Sequence, residues 1–70
     1  MSDVFCAVII GHKTAKLFAQ KLDSMGVPLL ARDIRPHKVY DGGWTTYHVF
    51  TISSEYEAAS DAAYLSLHNA

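Results

Sequence analysis

The sequence has a single cysteine, Cys6, and no long hydrophobic run. One cysteine excludes an internal disulfide and a cysteine-based metal cluster within the chain. A domain without disulfides is typical of the cytoplasm. The longest apolar run, residues 4–10, is far shorter than the roughly 20 residues of a helical membrane span. The N-terminus lacks the basic start and the small-residue cleavage site of a secretory signal. We therefore expect a cytoplasmic protein without a membrane segment.

Neither sign of charge dominates the chain, whose formal net charge is −1, but the charges are unevenly distributed. Residues 12–38 carry six Lys or Arg against two Asp, a net charge of +4. Residues 41–70 carry four Asp or Glu and no Lys or Arg, a net charge of −4. Such a dipole can steer a partner, but it gives no electrostatic case for binding nucleic acid.

The chain has 70 residues, of which 50 % are hydrophobic, and it contains no linker, internal repeat or low-complexity segment. A chain of this length buries only roughly 60 % of the surface that its unfolded form exposes. We therefore expect residues 1–70 to form one globular domain with one small core.

The first two elements are predicted to be a strand and a helix. Residues 4–10 are continuously apolar until Gly11, which predicts a strand covered on both faces, with Cys6 as a small buried hydrophobe. Thr14 fits the N-cap of a helix that ends near Gly26. The expected inner face of this helix is apolar: Ala15, Phe18, Ala19, Leu22 and Met25.

A hairpin with residues 41–43 as its turn follows, because two β-favouring segments flank Asp-Gly-Gly. With that turn, Tyr40 lies opposite Trp44 and Ile34 lies opposite Phe50. One hairpin face is expected to meet the helices: Ile34, Tyr40, Trp44, Phe50 and Ile52.

The last element is predicted to be a second helix. Ser54 and Glu57 have the spacing of a capping box, in which the serine side chain satisfies a free N–H of the first turn. The expected inner stripe is made mostly of small residues: Ala58, Ala59, Ala62, Ala63 and Leu65.

Together these elements predict an α+β fold of order βαββα. Its three-stranded antiparallel sheet has strand order 1-3-2, with both helices on one face. This pattern resembles a ferredoxin-like fold that lacks its fourth strand. In that fold the first strand is flanked on both sides, so the resemblance implies that one edge of residues 4–10 has no partner within this chain. Pro36 suggests that the second strand is bent or lies at an edge.

The sheet face away from the helices is the candidate partner-binding surface, formed by Arg35, His37, Tyr47 and Val49 together with Val8 of the first strand. Tyr40, Trp44 and Tyr47, with Arg35, His37 and Lys38 nearby, also have the composition of a surface on which a nucleotide base stacks. Packing of the hairpin tip on itself explains the same residues.

The junction between first strand and first helix is the alternative candidate site. Gly11, His12, Lys13 and Thr14 combine a glycine, two potential cations and a hydroxyl where free backbone N–H groups favour an anion. They match only the last part of a phosphate-binding loop. An ordinary capped helix with solvated lysines explains the same residues.

No residue pattern indicates a metal site, a cofactor or a catalytic centre. The four histidines lack the spacing of metal ligands, and no nucleophile, base and orienting group are marked as a set. A small enzyme whose site spans a dimer interface stays open.

We therefore expect a non-catalytic protein-binding module, an inhibitor or adaptor that acts by occupying a surface. In size and in its lack of catalytic chemistry the chain resembles accessory proteins with which phages and mobile elements inhibit host proteins. The alternative is a binder of a nucleotide or another phosphorylated ligand at residues 11–14. An uncovered apolar edge is a liability, so either a second copy or a strand of a partner protein is expected to cover the first strand, with a homodimer favoured. Ala7→Pro is the probe that this hypothesis suggests.

Overall fold

A computed structural model describes residues 3–68, in which a three-stranded antiparallel sheet packs with two helices. The elements in chain order are β1 (Val4–Ile10), α1 (His12–Ser24), β2 (Ala31–Lys38), β3 (Trp44–Ser53), a 3₁₀ turn (Ser54–Tyr56) and α2 (Glu57–His68). The strand order is β1-β3-β2, with β3 in the centre. The predicted α+β class and βαββα order are confirmed.

The core lies between the helices and the inward face of β1 and β3. Alternate residues of a strand point to the same face, so the inward side chains of the two strands meet α1 in one cluster. Phe18 of α1 and Phe50 of β3 are its largest members, and their rings pack edge to face at 5.3 Å between centroids. The remaining buried residues of the cluster are Ile9, Ala15, Leu22, Val27, Ile52 and Ala63.

Helix α1 has a precise C-terminal end and an earlier start than predicted. Gly26 adopts φ 75°, and its N–H donates to the Asp23 carbonyl while the Val27 N–H donates to the Leu22 carbonyl. This is a Schellman motif, which needs a residue with positive φ. At the other end the predicted N-cap, Thr14, is wrong: the helix begins at His12, with Gly11 as a cap that lacks a side-chain bond.

The predicted hairpin register is wrong by two residues, although each strand keeps its faces. The Val39 N–H donates to the Gly43 carbonyl, so the three-residue loop is 40–42 rather than 41–43. Gly42 has φ 86° and takes the left-handed position at the end of such a loop. As a result Ile34 lies opposite His48.

The helices reach β1 and β3 but leave β2 uncovered. Ile34 of β2 is 54 % exposed, Trp44 is 68 % exposed and Tyr40 is fully exposed. The expectation that these three side chains meet the helices is therefore wrong. Two helices of this size cover only part of a three-stranded sheet: α1 lies against β3 and β1, and α2 packs against α1.

Helix α2 begins later than predicted, at Glu57, after the 3₁₀ turn. Ser54 is not its cap; the side-chain bond at this turn runs from Ser53 Oγ to Glu55 Oε1 at 3.3 Å. The buried stripe contains Ser60 and Ala63, flanked by the half-buried Tyr56, Ala59 and Leu67. The predicted inward positions Ala58, Ala62 and Leu65 are exposed.

Strand β1 is covered on one face only, so the prediction of a strand buried on both faces is wrong. Phe5, Ala7 and Ile9 point toward the helices. The alternate side chains of the strand are exposed on the open face of the sheet: Val4, Cys6, Val8 and Ile10. Cys6 is thus an exposed thiol rather than a core residue, because no element within residues 3–68 packs on that face. In this range no helix is both long and apolar enough to span a membrane.

Candidate functional site

The outer edge of β1 presents unused backbone groups. The Ser54 N–H donates to the Asp3 carbonyl and the Gly11 N–H donates to the Thr46 carbonyl, so in this register the odd-numbered residues of β1 bond to β3. The N–H and C=O groups of the even-numbered residues therefore point away from β3: Val4, Cys6, Val8 and Ile10. Within residues 3–68 these outward groups form no hydrogen bond with another backbone group.

The outer edge of β2 is protected, in contrast to that of β1. The Val39–Gly43 bond shows that the odd-numbered residues of β2 face β3, so Arg32, Ile34, Pro36 and Lys38 turn their backbone groups outward. Pro36 has no N–H to offer there, and the strand order confirms that the strand with Pro36 lies at an edge. Lys38 adds a charge to the same edge, whereas the Arg32 guanidinium turns inward to His48 of β3. Proline and charge are the usual means by which natural proteins prevent an edge from pairing.

Strand β1 lacks both the proline and the charge that protect the edge of β2. Between Val4 and Ile10 there is no charged residue, no proline and no glycine. All four residues with outward backbone groups are exposed. Within residues 3–68 the two edges of the sheet therefore differ: the β2 edge carries proline and charge, and the β1 edge carries neither.

A groove follows the open edge, with β1 as one wall and α2 as the other. One part of the groove has a volume of about 320 Å³ and is lined by Phe5 to Ile9 of β1 and by Glu57, Ser60, Asp61 and Tyr64 of α2. A second part, of about 300 Å³, continues past Tyr64 to His68 and is also lined by Val8 and Ile9. The two parts share Val8, Ile9 and Tyr64 as lining residues, so they are neighbours along the strand.

The α2 wall of the groove carries negative charge. Glu57 and Asp61 are one helical turn apart, and both line the groove. No Lys or Arg is among the lining residues of either part. This wall is the part of the site that the sequence analysis missed. The spacing of Glu57, Asp61, Tyr64 and His68 would have placed them on one face of a helix, but nothing in the sequence showed that this face borders β1.

The predicted partner-binding residues all lie on the open face of the sheet. Val8 is directly opposite Val49 across β1 and β3, and Arg35 is directly opposite Tyr47 across β2 and β3. His37 packs edge to face against Tyr47, with ring centroids 5.9 Å apart. Arg35 is engaged by Asp33 in an exposed ion pair of 2.8 Å, which leaves the apolar strip at Val8 and Val49 as the part without charge.

The aromatic residues of the hairpin do not assemble into one stacking surface. Trp44 and Tyr47 are an odd number of residues apart in β3, so they lie on opposite faces of the sheet. Tyr40 is in the turn, fully exposed. The hairpin packs on itself only in part: His37 contacts Tyr47, whereas Tyr40 and Trp44 are largely exposed.

A buried polar cluster lies beside the start of α1. His48 is fully buried, and its Nδ1 accepts from Arg32, at 3.3 Å from Nε and 3.1 Å from Nη2. The guanidinium also lies over the Phe50 ring, 5.0 Å from its centroid. Because Nδ1 accepts, the proton of neutral His48 is on Nε2, which has no hydrogen-bond partner within residues 3–68.

The candidate anion junction borders this cluster. His12, the first residue of α1, places its ring 5.5 Å from the His48 ring. Gly11 has φ 98° and caps the helix without a side chain, while Lys13 and Thr14 are exposed in the first turn. Burial lowers the pKa of His48 below its usual value, and the nearby charges of Arg32 and His12 lower that pKa further.

Within residues 3–68 no three His, Cys, Asp or Glu side chains are arranged to hold a metal ion. No protein-family model, curated protein sequence or solved structure matches this chain.

Proposed function

We propose that this chain is a small, non-catalytic protein-binding module whose partner adds a β-strand to the open edge of β1. The difference between the two sheet edges supports this function. The edge of β2 carries Pro36 and the charged Lys38, whereas the edge of β1 carries four exposed residues with outward backbone groups, which nothing within residues 3–68 pairs with. An aggregation-prone edge is tolerated in a folded protein when a partner covers it.

Strand addition explains how so small a surface can bind one partner protein selectively. The outward N–H and C=O groups of β1 supply affinity for any extended chain, and the groove beside α2 selects among side chains. A module of this kind acts by occupying a segment of its partner, as an inhibitor or adaptor does. We place it in the cytoplasm, where the exposed thiol of Cys6 stays reduced. The analogy to phage accessory proteins is consistent with this mode of action.

The experiment that tests this function is a proline substitution at Val8. The Val8 N–H points outward, so Val8→Pro removes an edge donor and leaves the bonds from β1 to β3 in place. Ala7→Pro, the probe suggested by the sequence alone, is the wrong choice because Ala7 is bonded to Phe50. Val8→Thr keeps the N–H and serves as the matched control.

Heptapeptides that bind the wild type are selected from a displayed random library. The affinity of the selected peptides is then measured for both variants, and circular dichroism checks that the variants fold. Sedimentation of the wild type and of both variants follows self-association. We expect binding to the wild type and to Val8→Thr and its loss in Val8→Pro. Peptides that bind folded Val8→Pro equally well would refute strand addition at β1. A monomeric wild type that selects no peptide would refute it as well.

A second candidate function is the binding of a phosphorylated small ligand at Gly11, His12, Lys13 and Thr14. The Nε2–H of His48, which is buried beside His12 and has no hydrogen-bond partner within residues 3–68, favours it. Titration with inorganic phosphate, followed by NMR, tests this candidate. Shifts of the Lys13 and Thr14 amides that disappear in Lys13→Ala support it. Unchanged spectra at millimolar phosphate exclude it.

A further inference from the structure

We infer that the strand bound at β1 belongs to another protein and places a Lys or Arg side chain in the groove beside Glu57 and Asp61. This inference rests on the proposed strand addition and names the chemistry of the partner. It is carried by the position of the groove, by the charge of its α2 wall and by the lack of charge in β1.

The register of β1 determines which partner side chains enter the groove. A strand added to this edge pairs through Cys6 and Val8, and its residues opposite Phe5, Ala7 and Ile9 share the helix-facing side of the sheet. Those side chains project toward α2. The alternate partner side chains lie on the open face, next to Val4, Val8 and Ile10, where β-branched or other apolar residues fit.

The wall that the inward side chains meet carries two carboxylates that form no salt bridge within residues 3–68. Glu57 and Asp61 both line the groove, and residues 41–70 contain no Lys or Arg. The one ion pair within residues 3–68 joins Arg35 to Asp33 on the other side of the molecule. A cationic side chain of the partner is therefore complementary to this wall, and an acidic one is repelled by it.

A second copy of this chain is a poorer occupant of the same groove. Paired about a two-fold axis, β1 of one copy would offer β1 of the other copy no Lys or Arg, because Val4–Ile10 contains none. The same axis would bring a second α2, with its own Glu57 and Asp61, to the same face of the joined sheet. Both sets of carboxylates would then stay without a counter-charge in the shared groove.

Three capped heptapeptides test this inference, each with valine at alternate positions and with Lys, Gln or Glu at the intervening ones. Binding is followed through the amide NMR signals of Cys6 and Val8. We expect the Lys peptide to bind about fivefold more tightly than the Gln peptide, and the Glu peptide to bind more weakly than both, because exposed ion pairs contribute modestly. The advantage of Lys should decrease at high ionic strength.

Two variants test whether Glu57 and Asp61 cause the preference for the Lys peptide. The double variant Glu57→Gln, Asp61→Asn should remove the preference for Lys while it preserves binding of the Gln peptide. Asp23→Asn is the matched control, since Asp23 is an exposed acidic residue of α1 that does not line the groove, and it should keep the preference.

The outcomes separate this inference from the proposed function. If all three peptides bind equally and Val8→Pro abolishes their binding, the edge is a docking site but the cationic partner is wrong. A wild-type dimer in sedimentation that Val8→Pro dissociates would also overturn the inference, in favour of a second copy. If no peptide binds and the wild type is monomeric, the inference and the proposed function both fail.

Discussion

The stability of the protein should decrease as the pH falls below the ordinary pKa of histidine, because His48 is buried in its neutral form. Protonation of its Nδ1 would replace the hydrogen bond from Arg32 by two facing cations. Burial and these neighbours lower the pKa of His48 in the folded state, whereas in the unfolded chain that pKa returns to about 6.5.

The sign and size of the effect follow from proton linkage. Above the unfolded pKa neither state binds the proton, so His48 contributes no pH dependence there. Below about pH 6.5 the unfolded state binds a proton that the folded state does not, and the free energy of unfolding decreases by up to about 1.4 kcal/mol per pH unit. The decrease stops once the pH passes the lowered pKa of the folded state. The total free energy of unfolding of a domain of this size is roughly 4–10 kcal/mol, so a loss of this size is measurable.

Urea unfolding by circular dichroism, at several values between about pH 5 and 8, measures this dependence. His48→Gln should flatten the slope below about pH 6.5, whatever its effect on stability at neutral pH. His37→Gln is the control, because His37 lies on the open face against Tyr47, and it should keep the wild-type slope. If the slope is the same in His48→Gln as in the wild type, the neutral buried histidine is not its source and the reasoning fails.

Two further substitutions test the core and the start of α2. Phe18→Ala should cost about 3–5 kcal/mol in urea unfolding, because Phe18 is fully buried against Phe50; a cost below about 1 kcal/mol would contradict the assigned core. Ser54→Ala should change the melting temperature little, with an effect within about 0.5 kcal/mol, because within residues 3–68 the Ser54 side chain makes no hydrogen bond. A loss of about 1 kcal/mol would instead restore Ser54 as the cap of α2.

The sequence predicted the features that local signals determine. The alternation of apolar and turn residues defines the order of elements, and Gly26 at the end of α1 marks a conformation that other residues rarely adopt. The open edge of β1 also followed from the sequence, because it depends only on strand order.

The remaining features depend on contacts that a single chain segment does not reveal. Gly42 and Gly43 are equally suited to a turn in the sequence, and only the left-handed conformation of Gly42 decides the register. Cys6 was expected in the core because its strand is apolar throughout, but exposure is decided by where the helices lie. The groove was missed for the same reason, since Glu57 and Asp61 meet β1 only after α2 has packed against α1.

The central position of β3 has a consequence for the order in which the molecule folds. Val4 pairs with Ser53, so β1 waits for its neighbour until most of the chain has been synthesised, while β2 and β3 pair locally. At synthesis rates of about 5–20 residues per second, β1 spends roughly 2–10 seconds outside a sheet. During that time both of its edges are unpaired, and the apolar residues of Val4–Ile10 have no neighbouring strand. Until β3 pairs with it, β1 therefore lacks the protection from aggregation that its first neighbour later provides.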